Sequence, residues 1–412
     1  MKRRTGIRGA LVAILATLPL CVAARAQVEP AATGSSAMLD YDANYGQTAV
    51  FYTGYKTVQI RGIASGEAQY LNGSALTPFS LMYSGGYIMS VSGNESATGF
   101  FQHLAVSQGF ALRHGFLSIR DDFGYYPQSP TTGFSGIPGA GGITGIPEPP
   151  SEPILALNTL RIDNKASATI SHSLNYFTSF SMMGNVETLR FPNGGGLSLN
   201  QIGARPQVSW RVNALNSVSV QYAYTRFNYI GGTLVMRTQS LQPGLARVWS
   251  RRISTNVSAG PEWVQSNEPT QLPSSVGIAC NASATYTLRS MSAAVFYIRS
   301  VTAGAGLEQQ VGEHNNDVAA DFSKSFGKHT QLGASGAYRQ TQRFLLPGTI
   351  NGAFGGVSVT RHLGEYFTVS GSYTVLHQSS SITLPAGAVQ GISNEFGFNL
   401  AYHPRKTHII RQ

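Results

Sequence analysis

Residues 392–402 read ISNEFGFNLAY. One parity of this stretch is oily: Ile392, Phe396, Phe398, Leu400 and Tyr402, interrupted by Asn394. The other parity, Ser393, Glu395, Gly397, Asn399 and Ala401, is small or polar. Successive side chains of a strand point to opposite faces, so this segment presents one apolar face, either to a soluble core or to lipid. The rest of the chain discriminates between them.

The same period of two recurs upstream. Val218, Val220, Tyr222 and Tyr224 oppose Ser219, Gln221, Ala223 and Thr225, and Val276, Ile278, Cys280, Ala282, Ala284, Tyr286 and Leu288 oppose small and polar neighbours. Phe367, Val369, Tyr373 and Val375 alternate with Thr368, Ser370, Ser372 and Thr374. Period two, not 3.6, governs most of the chain. Turn-like junctions at Leu174-Asn175, Leu215-Asn216, Ser250-Arg251, Arg289-Ser290, Gly327-Lys328 and Leu363-Gly364 recur every 35 to 41 residues or so. That interval fits two strands and a longer connection. The longer connections, such as RFPNGGGLS and QSNEPTQLPSS, are rich in Gly, Pro, Asn and Ser. Short turns therefore alternate with long loops, as in outer-membrane barrels, where short turns face the periplasm.

Composition agrees. Only 12% of the residues are charged and 46 are Gly, against about a quarter charged in ordinary soluble domains. The N-terminus, MKRRTGIRGALVAILATLPLCVAARA, has a basic head, an apolar run and the small-residue site Ala24-Arg25-Ala26. It reads as a secretory signal peptide over 1–26, cleaved after Ala26, with an apolar run too short to span a bilayer. No later apolar run approaches the roughly 20 residues of a transmembrane helix. An exported chain of this kind still crosses a membrane if it closes a β-barrel, which pairs every backbone group between strands. Without the leader the charge falls to about +5, and no nucleic-acid partner is expected. Cys280 is then the sole cysteine, which excludes an intrachain disulfide and a Cys-based zinc site. No cofactor or metal is expected.

Counting back from 403 gives twelve strands to about 176, and four more fit 79–91, 100–110, 114–125 and 160–172. The fold class is therefore all-β: a transmembrane antiparallel up-and-down β-barrel of about 16 strands (14–18), with short periplasmic turns, longer external loops and both chain ends on the periplasmic side. Residues 27–78 are assigned to a periplasmic extension with one short strand near YKTVQIRG, 79–403 to the barrel, and 404–412 to a tail. The Gly/Pro-rich segment 125–157 is an external loop, either folded into the mouth or lying outside it.

Glu395, Gly397, Leu400 and Tyr402 fit the polar-x-Gly-x-x-apolar-x-aromatic pattern carried by the last strand of outer-membrane barrels. The chain resembles the Gram-negative outer-membrane β-barrel proteins, and SPTTGFSGIPG and RRISTNVSAGPEW resemble phrases of an uncharacterised exported, porin-like barrel group. The resemblance covers roughly 79–403 and implies an outer-membrane location and recognition of those four residues by the barrel-assembly machinery. The chain departs from the pattern in continuing past Tyr402 as HPRKTHIIRQ.

With the oily parity in lipid, the opposite parity places Lys165, Glu187, Arg211, Glu262, Arg339, Arg343 and Glu395 in the lumen. Arg211, Arg339 and Arg343 suggest a mildly anion-favouring pore; the alternative is that opposed charges pair across a filled lumen. Arg226, Arg237 and Arg299 fall on the oily parity near the outer strand ends, where they are positioned for lipopolysaccharide phosphates. Tyr176, Trp210, Tyr229, Trp249, Trp263, Tyr366 and Tyr402 suit interfacial girdles. No Ser, His and acid set or histidine metal pair has a recognisable spacing, so the chain is not read as an enzyme. The leading function is a porin-like channel for passive passage or export of small polar solutes. One rival is a closed surface barrel whose loops bind a partner or envelope polymer, and another is a secreted β-rich adhesin. Outer-membrane lipid and lipopolysaccharide are the expected surroundings, and association of several copies stays open.

Overall fold

A computed structural model describes residues 36–52, 58–92, 98–127, 160–192, 197–270, 272–302, 312–344, 348–381, 391–404 and 407–410. Residues 1–26, read above as a signal peptide, and nearly all of the 125–157 segment read as a loop lie outside these residues. The described chain is all strand and turn, and no helix in it is long and apolar enough to cross a membrane.

The strands are β1 (Ser36–Tyr52), β2 (Gln59–Asn72), β3 (Phe79–Ser92), β4 (Gly99–Leu112), β5 (Gly115–Pro127), β6 (Leu160–Ser173), β7 (Thr178–Arg190), β8 (Leu199–Arg211) and β9 (Asn216–Tyr229). They continue as β10 (Val235–Val248), β11 (Ile253–Ser266), β12 (Ser275–Leu288), β13 (Met291–Thr302), β14 (Glu313–Phe326), β15 (Thr330–Arg343), β16 (Thr349–Leu363), β17 (Phe367–Ser380), β18 (Gly391–Tyr402) and the short β19 (Thr407–Ile410). Each strand from β1 to β18 pairs antiparallel with the next, and β1 pairs with β18 from Ala43↔Tyr402 to Tyr52↔Ser393. The result is a closed antiparallel barrel of 18 strands. β19 extends β18 past the rim and pairs with the start of β1, Ser36↔Ile410 to Leu39↔Thr407.

Two sequence expectations are corrected here. The barrel has 18 strands rather than 16, because residues 36–72, assigned to an extension, form β1 and β2. Within the segment assigned to a tail, residues 407–410 pair with the start of β1. The physical reason is closure. Without β1 and β2, β3 and β18 would each expose a row of unpaired backbone groups. The two strands escaped the sequence reading because the outward positions of β2 include Gly62, Ala64, Gly66 and Ala68, too small to register as an oily face.

Paired residues of a sheet share a face, so the ladder fixes which parity points out. Val218, Val220, Leu241, Leu245, Val257, Ile278, Val295, Val357, Phe396 and Phe398 are all exposed on the outer surface. On β9 the outward residues run Asn216, Val218, Val220, Tyr222, Tyr224, Arg226. From 216 to 226 is ten residue steps, which at about 3.3 Å each and a tilt near 40° span about 25 Å, the height of a barrel's apolar band. Aromatic residues mark its edges. At the short-turn end Trp249 lies under the Arg247 guanidinium, 4.0 Å from the ring centroid, and Tyr402 packs on Phe367 at 5.2 Å. Trp263 is exposed on the outer face toward the long-loop end of β11. Tyr229, expected in a girdle, instead points inward and is buried in an apolar cluster.

β10 continues through Pro243 and Gly244. Its pairing with β11 lapses between Ser240↔Glu262 and Gly244↔Ser258, where Pro243 and Pro261 have no N–H to donate. Gly260 of β11 fits there because a Cβ would overlap the carbonyl oxygen of Leu241.

Candidate functional site

The candidate site is the lumen. Lys165, Glu187, Arg211, Glu262, Arg339, Arg343 and Glu395 all lie on inward-facing positions of the register, but their surroundings differ. Lys165 and Glu187 are directly opposed on β6 and β7, and Asp122 of β5 stands opposite Lys165 on its other side. Asp122 also accepts two hydrogen bonds from Arg120, of 2.5 and 2.8 Å, and lies 3.8 Å from His103. One row up the wall, Arg161 and Asp163 are 3.5 Å apart. This side of the lumen is a lattice of alternating charges.

Across β14 and β15, Arg339 and Asp317 are opposed and doubly hydrogen-bonded, through Nε to Oδ1 and through Nη2 to Oδ2 at 2.8 Å, and both are buried. Beside them Thr341 donates to Asn315 Oδ1 at 2.6 Å, and Asn315 Nδ2 donates to Thr302 at 2.7 Å. Arg343 is opposite Glu313. Arg211 stands at the short-turn rim, its guanidinium 5.9 Å from the Tyr176 ring centroid. Glu395 shares its neighbourhood with the charge of Arg61, a buried side chain of β2.

Arg226 and Arg237 face outward as expected, directly opposite one another on β9 and β10. Arg299 differs in its setting. The β12–β13 ladder stops at Cys280↔Arg299 while β13 runs on to Thr302. Beyond that point β13 leans into the barrel. Val301 N donates to Glu262 Oε1 at 3.3 Å, and Val301 joins the inward apolar cluster of Leu189, Phe191, Leu199, Phe227, Tyr229, Leu234, Met236, Val264 and Leu272. The charge of Arg299, at the point where the ladder ends, is felt at Glu262 and His314. Alternation places a residue on a face only while the strand keeps its neighbour, and beyond Arg299 the β12 neighbour is lost.

Below this cluster, between β12 and β17, the wall is lined by small hydroxyl residues. A cavity of about 650 Å³ is bordered by the hydroxyls of Ser283, Thr285, Ser358 and Thr374 and by the rings of Phe296 and Phe354, with Asp321 as its single charged side chain. Its hydroxyls both donate and accept, so they can replace the hydration of many polar solutes. Sequence reasoning passed over Asp317, Asp321, Asp122 and Glu67. Parity alone would have found them, since Asp121-Asp122 must put one carboxylate on each face. Asp121 is the one carboxylate of the described strands that points outward, where Asn164 Nδ2 donates to it at 3.0 Å.

The four residues of the terminal pattern lie along β18. Leu400 and Tyr402 face outward, while Glu395 and Gly397 face the lumen. Past them, His403 N donates to the Tyr366 carbonyl at 2.6 Å and its ring bonds to Thr368 at 2.9 Å and to Asp42. Among the described residues no group of three or more His, Cys, Asp or Glu side chains is placed to hold a metal ion.

No family model and no curated protein matches the chain. Among solved structures it is similar to Pseudomonas aeruginosa OccK2 (OpdF), at 11% identity and a TM-score of 0.48 over 92% of this chain and 100% of that one. It is also similar to OccK9 (OpdG) of the same organism, at 12% identity and a TM-score of 0.47 over 92% and 100%. A loop L8 deletion mutant of OmpT, an outer membrane protein of Vibrio cholerae, overlaps 89% of this chain and 99% of its own at 12% identity and a TM-score of 0.38. The structural neighbours of this barrel thus include an outer-membrane protein, at low identity.

Proposed function

We propose that the protein resides in the outer membrane and passes small polar solutes through its lumen, without chemistry on them. The observation that carries this reading is the segregation of charge in a closed 18-stranded barrel. Of the strand carboxylates all but Asp121 face inward, while the outer face is apolar across a bilayer's height. Barrels of 16 to 18 strands enclose enough width for an aqueous path.

The anion preference suggested by Arg211, Arg339 and Arg343 is not the reading the geometry supports best. Arg339 is neutralised by Asp317, Arg343 faces Glu313, and Arg211 sits at the rim. The cavity between β12 and β17, lined by hydroxyls and phenyl rings, holds a carboxylate and no basic side chain. We therefore favour uncharged or cationic polar solutes.

The test is current across a planar bilayer after addition of purified, refolded protein whose gel mobility changes on boiling. Discrete conductance steps with a cation-side reversal potential in a salt gradient are expected. Silence from inserted protein would favour the closed surface barrel instead, a reading to which the apolar cluster across the long-loop half lends support.

A further inference from the structure

We propose that the outward faces of β7 to β10 form a clamp for the phosphorylated headgroup of lipopolysaccharide, with Arg190, Arg226 and Arg237 as its ligands. This rests on the outer-membrane reading but not on an open pore.

Arg226 and Arg237 are direct partners across the β9–β10 ladder. Their Cα atoms are thus roughly 4.5 to 5.5 Å apart, and like charges so placed repel unless an anion lies between them. No strand carboxylate offers one. Glu187 and Glu262, the acidic residues on β7 and β11, face the lumen. Among the described residues Arg226 donates from Nε to Asn228 Oδ1 alone, at 2.9 Å. Arg237 is exposed and has no hydrogen-bond or ion-pair partner among the described residues.

A third cation is tied into the same row. Arg190, at the long-loop end of β7, points outward and bends over the sheet. Its Nη1 donates to the Leu199 carbonyl and its Nη2 to Asn200 Oδ1, both at 2.9 Å. Asn200 is in turn the ladder partner of Asn228. Arg190, Asn200, Asn228, Arg226 and Arg237 therefore run as a continuous polar row around the outer wall.

The height of this row selects the occupant. It lies at the upper edge of the apolar band, above Tyr224, Tyr222 and Val220, so an anion reaching it sits at a lipid–water boundary. A lipid that carries its own phosphates fits both requirements. Forked guanidinium groups match phosphate oxygens bidentately, and the amides of Asn228 and Gln265 flank them with further donors.

The experiment uses the full mature chain, returned to liposomes and shown to be inserted by its heat-modifiable gel mobility. Retained lipopolysaccharide is measured by native mass spectrometry for the wild type, for the R226Q/R237Q double variant and for R361Q, an outward arginine at the short-turn end of β16. The double variant is expected to hold lipid at least roughly tenfold more weakly, the worth of one charge-assisted hydrogen bond. Enzymatic dephosphorylation of the lipid should reproduce that loss in the wild type and add nothing in the double variant, while R361Q retains wild-type binding. Undiminished binding by the double variant, equal binding of dephosphorylated lipid, or inorganic phosphate holding the site as tightly as the lipid would each overturn the clamp. A wild-type chain that never enters a bilayer would instead sink the outer-membrane reading beneath it.

Discussion

Asp317 and Arg339 show what a single buried pair does in this barrel. Each is the other's ladder partner, and the two hydrogen bonds between them leave neither charge unmatched. Substituting Arg339 by Met strands the carboxylate in a buried site, and such a break typically costs about 3–5 kcal/mol. Urea unfolding in bilayers should show that loss for R339M, and D317L/R339M should recover most of it, because an apolar pair leaves no charge behind. Asp121 makes the opposite case. Its outward position, midway along β5 and bonded only to the neutral amide of Asn164, places a carboxylate within the apolar band. Asp121→Leu is therefore expected to raise stability by about 1 kcal/mol in the same measurement. Most single-residue placements were legible in the alternation. Lys165, Glu187 and Glu262 face inward because their neighbours two positions away do. Tyr229 also follows alternation, on the inward parity of β9, whereas the inward turn of β13 at Val301 was not legible, since whether a strand end stays with its neighbour depends on an apolar cluster assembled from residues far apart in sequence.

At the scale of the element, β10 and β11 illustrate how a strand persists through residues that usually end one. Pro243 and Pro261 leave donors missing from the ladder, and Gly260 admits the Leu241 carbonyl into the space a Cβ would fill. Gly260→Val is expected to destabilise the barrel by about 1–3 kcal/mol through overpacking. Gly371→Ala, at a site with no heavy atom within 4 Å of the new carbon, is expected to be near neutral. Denaturant midpoints of the two variants check the contrast. The strands of β3 to β18 were visible because large outward residues punctuate them. β2 was hidden by Gly62, Ala64, Gly66 and Ala68. Deleting 27–78 separates the two accounts of that region: with β1 and β2 in the wall, the remaining chain should lose its heat-modifiable folded form, whereas removal of a mere extension would leave it intact.

For the whole molecule, the proposed passage of polar solutes depends on how the two lumen walls differ. One side, on β5 to β7, carries paired charges whose fields largely cancel; the other, on β12 to β17, offers hydroxyls around Asp321. Asp321 is the one charged side chain bordering the cavity there, so Asp321→Arg should move the reversal potential in a salt gradient toward the anion side without altering heat-modifiable mobility. Little of this was legible in advance. The sequence shows which residues face inward, but charge balance depends on which of them meet across the ladder, as Arg339 meets Asp317.

The seam between β1 and β18, lengthened by β19, also has a meaning in time. Ser36 and Ile410 are ladder partners although nearly the whole polypeptide lies between them. In a chain delivered N-terminus first, β1 emerges at the outset and its second partner last. One edge of β1 must wait, shielded or idle, until the final residues arrive. The wall of this barrel can therefore be built gradually, but its closure is a single late event decided by the last strand to appear.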